Sequence, residues 1–329
     1  GYDTNIKKIK KLKKIKNKNL FFTNNRNILK TPKIFIVCVP TPINKNKTPE
    51  LRPLKNATKT ISKFLKSGDI VIFESTVYPG LTEEICIPIL EKNSKMELNK
   101  DFYIGYSPER VSPGDKSDFT KINKVISGSN TKSRKIVFEL YKKIIKAKLF
   151  PAKSIKVAEA SKILENVQRD INISLMNEMS LIFSKLKINT NDVLNAAKTK
   201  WNFLNFTPGL VGGHCISVDP YYLTYKAKKL NYNPKVILSG RTINDKMGIY
   251  VGKKIIKKIE KKYKNKKINI GIFGLTFKEN TNDTRDSKVF DIINILKKKK
   301  NINIFTYDPN LTKSDLKNKN IKLNKTSKK

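Results

Sequence analysis

From Ser154 to Leu186 the chain carries neither Pro nor Gly, while Val157, Ala160, Leu164, Val167, Ile171, Leu175, Met179 and Ile182 recur at spacings of three and four. That period over so many turns predicts one continuous helix with an apolar stripe along its length. A helix of this length divides the sequence in two. Its stripe is of the kind that packs against another subunit.

Ahead of it, residues 1–150 alternate short β-branched or apolar runs with helix-period segments, the pattern of a parallel sheet covered by helices. Strands are expected at Ile34–Val39, Asp69–Ser75, Phe102–Ser107 and Lys124–Ser127, and helices near Leu54–Leu65, Leu81–Leu90 and Lys132–Ile145. Ile6, Ile9, Leu12 and Ile15 predict a Lys-rich amphipathic helix, read as a solvated face rather than a phosphate-binding element. Behind the long helix comes a Gly- and Pro-rich loop, Phe206–Pro220, then a helix from about Ser239 to Lys262. A strand at Ile268–Phe273, a helix at Ser287–Lys299 and a strand at Ile302–Tyr307 predict the start of a second α/β domain, one β-α-β unit too small to close its own core.

The fold expected is α/β in three parts. Residues 1–152 form a Rossmann-like domain, 153–262 a central helical domain with the long helix, and 263–329 a further Rossmann-like domain. No apolar run approaches the ~20 residues of a membrane-spanning helix, and no secretory signal is visible, so a cytoplasmic protein without a membrane partner is expected. Cys38, Cys86 and Cys215 are an odd number without framework spacing or clustered His partners, which argues against a disulfide scaffold or a metal site. Cys38 and Cys86 read as small core residues. The formal charge of +42 raises nucleic acid as a partner, but only seven of the 69 cations are Arg. Lys, Asn and Ile abound together, the composition of an A/T-rich coding sequence that spreads Lys over tolerant surface. Specific nucleic-acid readers favour Arg forks in a compact stripe, so no specific nucleic-acid partner is expected.

One segment carries chemistry. In VGGHCISVDPYYL, Val211–Leu223, two glycines permit a tight turn and a close approach, so the thiol of Cys215 can be presented at a pocket wall. A stabilised thiolate attacks an aldehyde carbon, and Asp219 could orient a water or take a proton. Taken alone, a structural loop explains the run equally well. Lys162 and Asn166 lie one helical turn apart, where they could stabilise an oxyanion or be solvated polar positions.

Five runs carry a resemblance: GDIVIFESTVYPGLTEE, GYSPERVSPGDK, SKILENVQRDINISLMNE, TKWNFLNFTPGLVGGHCISVDPYYLTYKA and GRTINDKMG. In their order they resemble the UDP-glucose and UDP-mannose-type nucleotide-sugar 6-dehydrogenases, most of all the branch acting on UDP-N-acetylglucosamine or UDP-N-acetylgalactosamine. The resemblance implies NAD as cofactor, a UDP-sugar as substrate, a homodimer joined through the central domain, and a product used in surface polysaccharide.

It further implies Cys215 as the catalytic thiol, Lys162 and Asn166 as oxyanion donors, and Asp219 as the carboxylate that helps water attack a thioester. Glu109 would assist proton transfer, with Thr76 near the nicotinamide and its water. On the cofactor side stand Asp3, Thr41, Thr76 and Arg285, with Asp3 on the adenosine ribose hydroxyls. On the substrate side stand Glu109, Arg110, Lys162, Asn166 and Lys278, joined by Arg241, which would reach the nucleotide sugar across the subunit interface with Asn244 in the same motif.

The family's pattern also leads to the expectation that the chain is cut short at both ends. Its first strand and Gly-x-Gly-x-x-Gly loop would lie about 25 residues ahead of Asp3, and most of the UDP-holding domain beyond LNKTSKK. A chain so shortened is expected to turn over poorly. Two other classes remain open: a one-step hydroxyacid or sugar-phosphate dehydrogenase, which needs no thiol, and a basic nucleic-acid-binding protein without catalysis. UDP-glucose and UDP-N-acetylmannosamine are the alternative substrates.

Overall fold

A computed structural model describes residues 1–111, 114, 118–264, 266–316, 321, 323 and 324. Residues 112, 113, 115 and 116 of the GYSPERVSPGDK run, and most of the C-terminal LNKTSKK, lie outside the described residues. The chain forms two compact units. The first comprises Gly1–Thr41, Glu50–Arg110 and Asp118–Lys162, the second Pro42–Pro49, Val111–Ser117 and Ile163–Lys329.

The first unit opens with α1 (Ile6–Leu12), whose first amides at Lys7 and Lys8 are capped by the Asn5 side chain. Its sheet has the order β1 (Ile34–Val37), β2 (Ile70–Phe73), β3 (Tyr103–Tyr106), β4 (Lys124–Gly128) and β5 (Leu149–Pro151). The four residues of β2 are apolar and all buried, as expected of a strand covered on both faces. β1 pairs in parallel with β2, and β2 with β3. The sheet is parallel as expected except at the step from β3 to β4, which is antiparallel with Gly105 opposite Gly128 and Tyr106 opposite Ser127. A parallel step needs a long crossover, usually a helix. Between these strands the described residues supply only a short 3₁₀ turn, Phe119–Lys121.

Three helices cover the sheet: α2 (Arg52–Ser62), α3 (Ile87–Ser94) and α4 (Thr131–Lys142). Asn130 and Ser133 form a reciprocal capping box that starts α4. Val137 and Tyr141 of α4 pack with Ile70, Ile72, Tyr103 and Ile126 in the core. A π-helical turn, Thr82–Cys86, leads into α3. Ahead of it the amides of Gly80 and Thr82 donate to the carboxylate of buried Glu159, at 2.5 and 3.0 Å. Burial pushes that carboxyl up to about 7, against the pull of the two N–H donors.

The long helix α5 runs Ile155–Leu186, within one residue of the expected start. Its inward face is polar. Val157, Leu164, Leu175 and Ile182 of the apolar stripe are exposed, whereas Asn166, Asp170, Ser174 and Asn177 are buried. These four recur at spacings of four, four and three, a face of their own.

In the second unit, α5 is succeeded by α6 (Thr190–Ala197), α7 (Asp219–Lys229) and α8 (Lys235–Tyr263). The chain then forms β6 (Ile268–Phe273), α9 (Val289–Leu296) and β7 (Ile302–Tyr307). β6 and β7 are parallel and in register from Ile268 opposite Ile302 to Phe273 opposite Tyr307. Contrary to expectation this part has a core: Leu275, Phe290, Ile293, Leu311 and Leu316 are buried together. Residues after β7 fold back and supply Leu311 and Leu316. Among the described residues no helix is long and apolar enough to cross a membrane.

An ion cluster ties α5 to α8. Arg241, 1% exposed, donates to Asp170 at 2.6 Å and also to Asp245. Asn244 donates to the Asp170 carboxylate at 2.7 Å, and Lys47 reaches Asp245 at 2.6 Å and the Tyr221 hydroxyl at 2.7 Å. Burial opposes ionisation of Asp245, but Arg241, Lys47 and Tyr221 overcome it and hold the carboxyl well below its ordinary range. Removing the guanidinium strands a buried carboxylate. Arg241→Met is therefore expected to lower unfolding free energy by about 3–5 kcal/mol in the absence of any ligand, with part regained when Asp170→Asn is added. Denaturant melts of the single and double variants measure it.

Candidate active site

Cys215 stands just before α7, and its carbonyl accepts from the amides of Val218 at 3.0 Å and Asp219 at 2.8 Å. The residue thus lies in the turn that leads into the N-cap of α7, Val218. Asp219 is the first residue of α7, with Pro220 next, a position where the missing proline N–H costs nothing. Its buried carboxylate accepts from the Asn166 amide of α5. Asn166 is 4% exposed, so its alternative reading as a solvated position is overturned. Lys162, one turn earlier on the same helix, is half-buried. Sequence neighbours and a residue 53 positions away meet in one hydrogen-bonded group.

The glycines before Cys215 permit a tight turn and a close approach, and what approaches is another loop of the same chain. Gly213 has φ +91°, and a Cβ there would meet the Phe277 ring at 2.6 Å. At Gly212 a Cβ would meet the Asp286 carbonyl at 2.5 Å. The 277–287 loop of the same chain is what approaches the turn closely, fixed further by the Gly213 amide donating to the Arg285 carbonyl at 3.1 Å. The preceding Gly- and Pro-rich stretch is strapped to α5, because Asn177 exchanges two hydrogen bonds with the backbone of Gly209, at 2.9 and 3.0 Å.

A cleft of about 650 Å³ opens beside this turn, lined by His214, Asn280, Thr281, Asp283, Arg285 and Asn310 among others. Arg285 is half out in solvent and forks onto Asp283, with Nε at 2.9 Å and Nη2 at 2.6 Å. Its Nη2 also lies 2.9 Å from Nδ1 of His214, whose ring stands edge-on to Phe277. His214 enters the site unanticipated; its place directly before the thiol was the available signal. Burial, then Arg285, lower its pKa, so it is neutral near pH 7. Lys278 is half-buried in the same loop, its carbonyl accepting from the hydroxyls of Thr276 and Thr281 at 2.8 and 3.1 Å.

Arg241, expected to reach the nucleotide sugar across a subunit interface, is held within its own chain. Its guanidinium is turned into its own chain and neutralised by Asp170 and Asp245, and Asn244 serves the same cluster. The two carboxylates stand on separate elements, Asp170 on α5 and Asp245 one turn along α8.

In the first unit, the Thr41 hydroxyl donates to the Thr76 carbonyl at 2.7 Å, joining the loops after β1 and β2. These are carboxyl ends of parallel strands, where dinucleotides bind in open α/β sheets. Asp3, at the bridge Tyr2–Thr23, keeps a partly exposed carboxylate. That donor and acceptor set fits a dinucleotide. Glu109 is exposed and Arg110 half-buried, its guanidinium on the Asn123 carbonyl at 3.0 Å. A group not anticipated stands nearby: Lys124 contacts Glu74 at 3.1 Å and the Pro108 carbonyl at 3.5 Å, so it fastens the turn that carries Glu109. Cys38 belongs to this group and not to the core. The residue is exposed, its sulfur lies 3.4 Å from Glu74, and desolvation of the thiol, then that carboxylate, push its pKa up to about 12. Cys86 is buried as expected.

Models of the UDP-glucose/GDP-mannose dehydrogenase family match in chain order: the NAD binding domain over residues 4–145, the central domain over 156–246 and the UDP binding domain over 271–329. The chain is 51% identical over 302 residues to a UDP-N-acetyl-D-glucosamine 6-dehydrogenase of Pseudomonas aeruginosa, covering 90% of this chain and 70% of that one. It is 49% identical over 313 residues to the Salmonella typhi protein of the same name, covering 91% and 74%. Its fold superposes on UDP-D-ManNAc dehydrogenase from Pyrococcus horikoshii with a TM-score of 0.86 at 30% identity, covering 95% of this chain and 78% of that one. A chain with these three domains in this order, and with Cys215 at the head of α7, belongs to the UDP-glucose/GDP-mannose dehydrogenase family, NAD-dependent oxidoreductases of nucleotide sugars.

Proposed function

We propose that the protein oxidises the C6 alcohol of UDP-N-acetylglucosamine to the carboxylate in two steps on Cys215. The observation that carries the reading is the buried group in which Asp219 accepts from Asn166 and donates its amide to the Cys215 carbonyl. Relatives near 50% identity act on the N-acetylglucosamine nucleotide, which favours it over the mannosamine nucleotide named for relatives at 34–37%.

An alcohol becomes an acid by loss of four electrons, so the reaction passes through an aldehyde. NAD, when bound, supplies the electron acceptor, two molecules per sugar. Asp3, Thr41 and Thr76 would hold it in the first unit, with Arg285 as a further contact. The Cys215 sulfur adds to the aldehyde carbon, forming a C–S bond and an oxyanion, which keeps the reactive carbonyl from escaping. Lys162 and Asn166 donate to that oxyanion, each worth on the order of 3 kcal/mol in a dry pocket. After the second oxidation the carbon is a thioester. Asp219 takes a proton from water, whose oxygen enters the carboxylate as the C–S bond breaks and the thiolate leaves. Glu109 and Thr76 assist that water, while Arg110 and Lys278 grip the substrate.

The protein works as a homodimer in the cytoplasm, where nucleotide sugars and NAD are made. Leu164, Leu175 and Ile182, exposed along α5, support a second copy as partner.

With limiting UDP-N-acetylglucosamine and excess NAD, the protein is expected to form two NADH per sugar and Cys215→Ser to lose about 10³-fold or more in kcat. One NADH per sugar, or an undiminished Ser variant, would point to a one-step dehydrogenase. For the assembly, Leu175→Glu is expected to shift sedimentation from dimer to monomer, and an unchanged profile would rule the α5 stripe out as the contact.

A further inference from the structure

Glu159, Lys162, Asn166, Asp170, Ser174 and Asn177 recur at spacings of three and four, so they lie along one side of α5. The first of them is a carboxylate that the reaction scheme does not use. Glu159 is fully buried, and both of its oxygens accept from backbone, Oε2 from the Gly80 amide at 2.5 Å and Oε1 from the Thr82 amide at 3.0 Å.

The π-helical turn Thr82–Cys86 has Leu81 at its N-cap and no side-chain cap of its own, and leading N–H groups of a helix need acceptors from elsewhere. α5 supplies them from 77 positions away in sequence. A carboxylate suits the place, because it presents two acceptors and no donor to two N–H groups, and negative charge is favoured at a helix start. A glutamine of the same length would turn an NH2 toward one of them. Lys156, Glu83 and Glu84 stand around this contact. Lys156 pairs with Glu83 at 3.0 Å, and a Cβ at Gly80, where φ is +92°, would meet Glu84 Oε1 at 2.7 Å and Lys156 Cε at 3.1 Å.

Thr76 lies four residues ahead of Gly80, and the segment between them is closely held. Val77, Tyr78 and Leu81 are 2% exposed or less, and the Thr76 carbonyl accepts from the Thr41 hydroxyl at 2.7 Å. The turn is thus pinned to the loop after β1 at one end and to α5 at the other. Lys162 stands three residues beyond Glu159 on that helix. One carboxylate therefore fastens the turn that carries Thr76 to the stretch of α5 that carries Lys162.

Resting on the reading of Thr76 and Lys162 as members of the site, we propose that Glu159 is a positioning residue: it sets the spacing between the Thr76 turn and Lys162, the groups assigned to the water and to the oxyanion.

The test uses the full chain, first without ligand and then in turnover. Amide hydrogen exchange followed by mass spectrometry reads the 76–82 segment in the ligand-free protein. Glu159→Gln is expected to speed exchange there about tenfold or more, with the β2 and β3 segments unchanged. An unchanged 76–82 segment overturns the proposal, and so does a rise shared by β2 and β3, which would mean general destabilisation. With UDP-N-acetylglucosamine and NAD, Glu159→Gln is expected to lower kcat about tenfold and to leave the KM of the sugar nucleotide within about twofold. Thr76→Val should lower kcat at least as much. Adding Glu159→Gln to it should cost less than about a further twofold, because a hydroxyl already removed cannot be misplaced. Losses that multiply in the double variant overturn the proposal and leave the role of Thr76 intact. Thr76→Val at parental kcat removes the reading of Thr76, and the proposal with it. Should Glu159→Gln not fold, Glu159→Asp keeps both acceptors but retracts them by one methylene, and the same pattern is expected with smaller factors.

Discussion

Desolvation of the polar face of α5 is the constraint that organises the second unit. Asn166, Asp170 and Asn177 are shut away from water, and each buried polar group must find a partner or cost about a kilocalorie or more. The partners come from three separate stretches of sequence: Asp219 at the head of α7, Arg241 and Asn244 on α8, and the backbone of Gly209. Apolar packing would tolerate sliding by a residue. A set of directional bonds from consecutive turns of one helix does not, and so the helix acts as a ruler against which loop, nucleophile and second helix are registered.

The reaction centre inherits its order from that ruler. Asn177 straps Gly209, which begins the approach to Cys215; Asn166 fixes Asp219 just beyond it. Between the two anchors the chain has little freedom, and the 277–287 loop removes most of the remainder by seating Phe277 and Asp286 against glycines. The thiol is placed by bonds that end on its neighbours on either side.

The period of apolar residues locates α5 almost to the residue, and short β-branched runs locate β1 to β4 and β6 and β7. Periodicity does not say which face of α5 turns inward, because a hydrophobic stripe implies a core without saying whose chain supplies the other half. α6 escapes detection because eight residues give too few turns for a period to register. α7 carries an Asp-Pro start signal, masked by the chemistry that the same residues suggest. β5 is three residues ending in Pro and has no periodic signature. Within the site, Cys215 and Asp219 are visible through spacing, while the pairing of Asn166 with Asp219, or of His214 with Asp283 across 69 positions, depends on tertiary closure that no local pattern encodes. Resemblance alone points Arg241 outward, and the carboxylates that enclose it become evident only in three dimensions.

Residues 42–49 sit between β1 and α2 in sequence yet belong to the second unit, where Lys47 joins Asp245 and the Tyr222 hydroxyl donates to the Pro42 carbonyl at 3.2 Å. Neither unit is therefore a contiguous stretch of polypeptide. No single cleavage can release one of them whole, and a gene spliced at the boundary inside α5 would hand its recipient a unit lacking a piece encoded far upstream. During synthesis Lys47 must wait through the 174 positions that separate it from Tyr221 before that partner leaves the ribosome. Recombination and co-translational folding alike must treat the chain as one indivisible object.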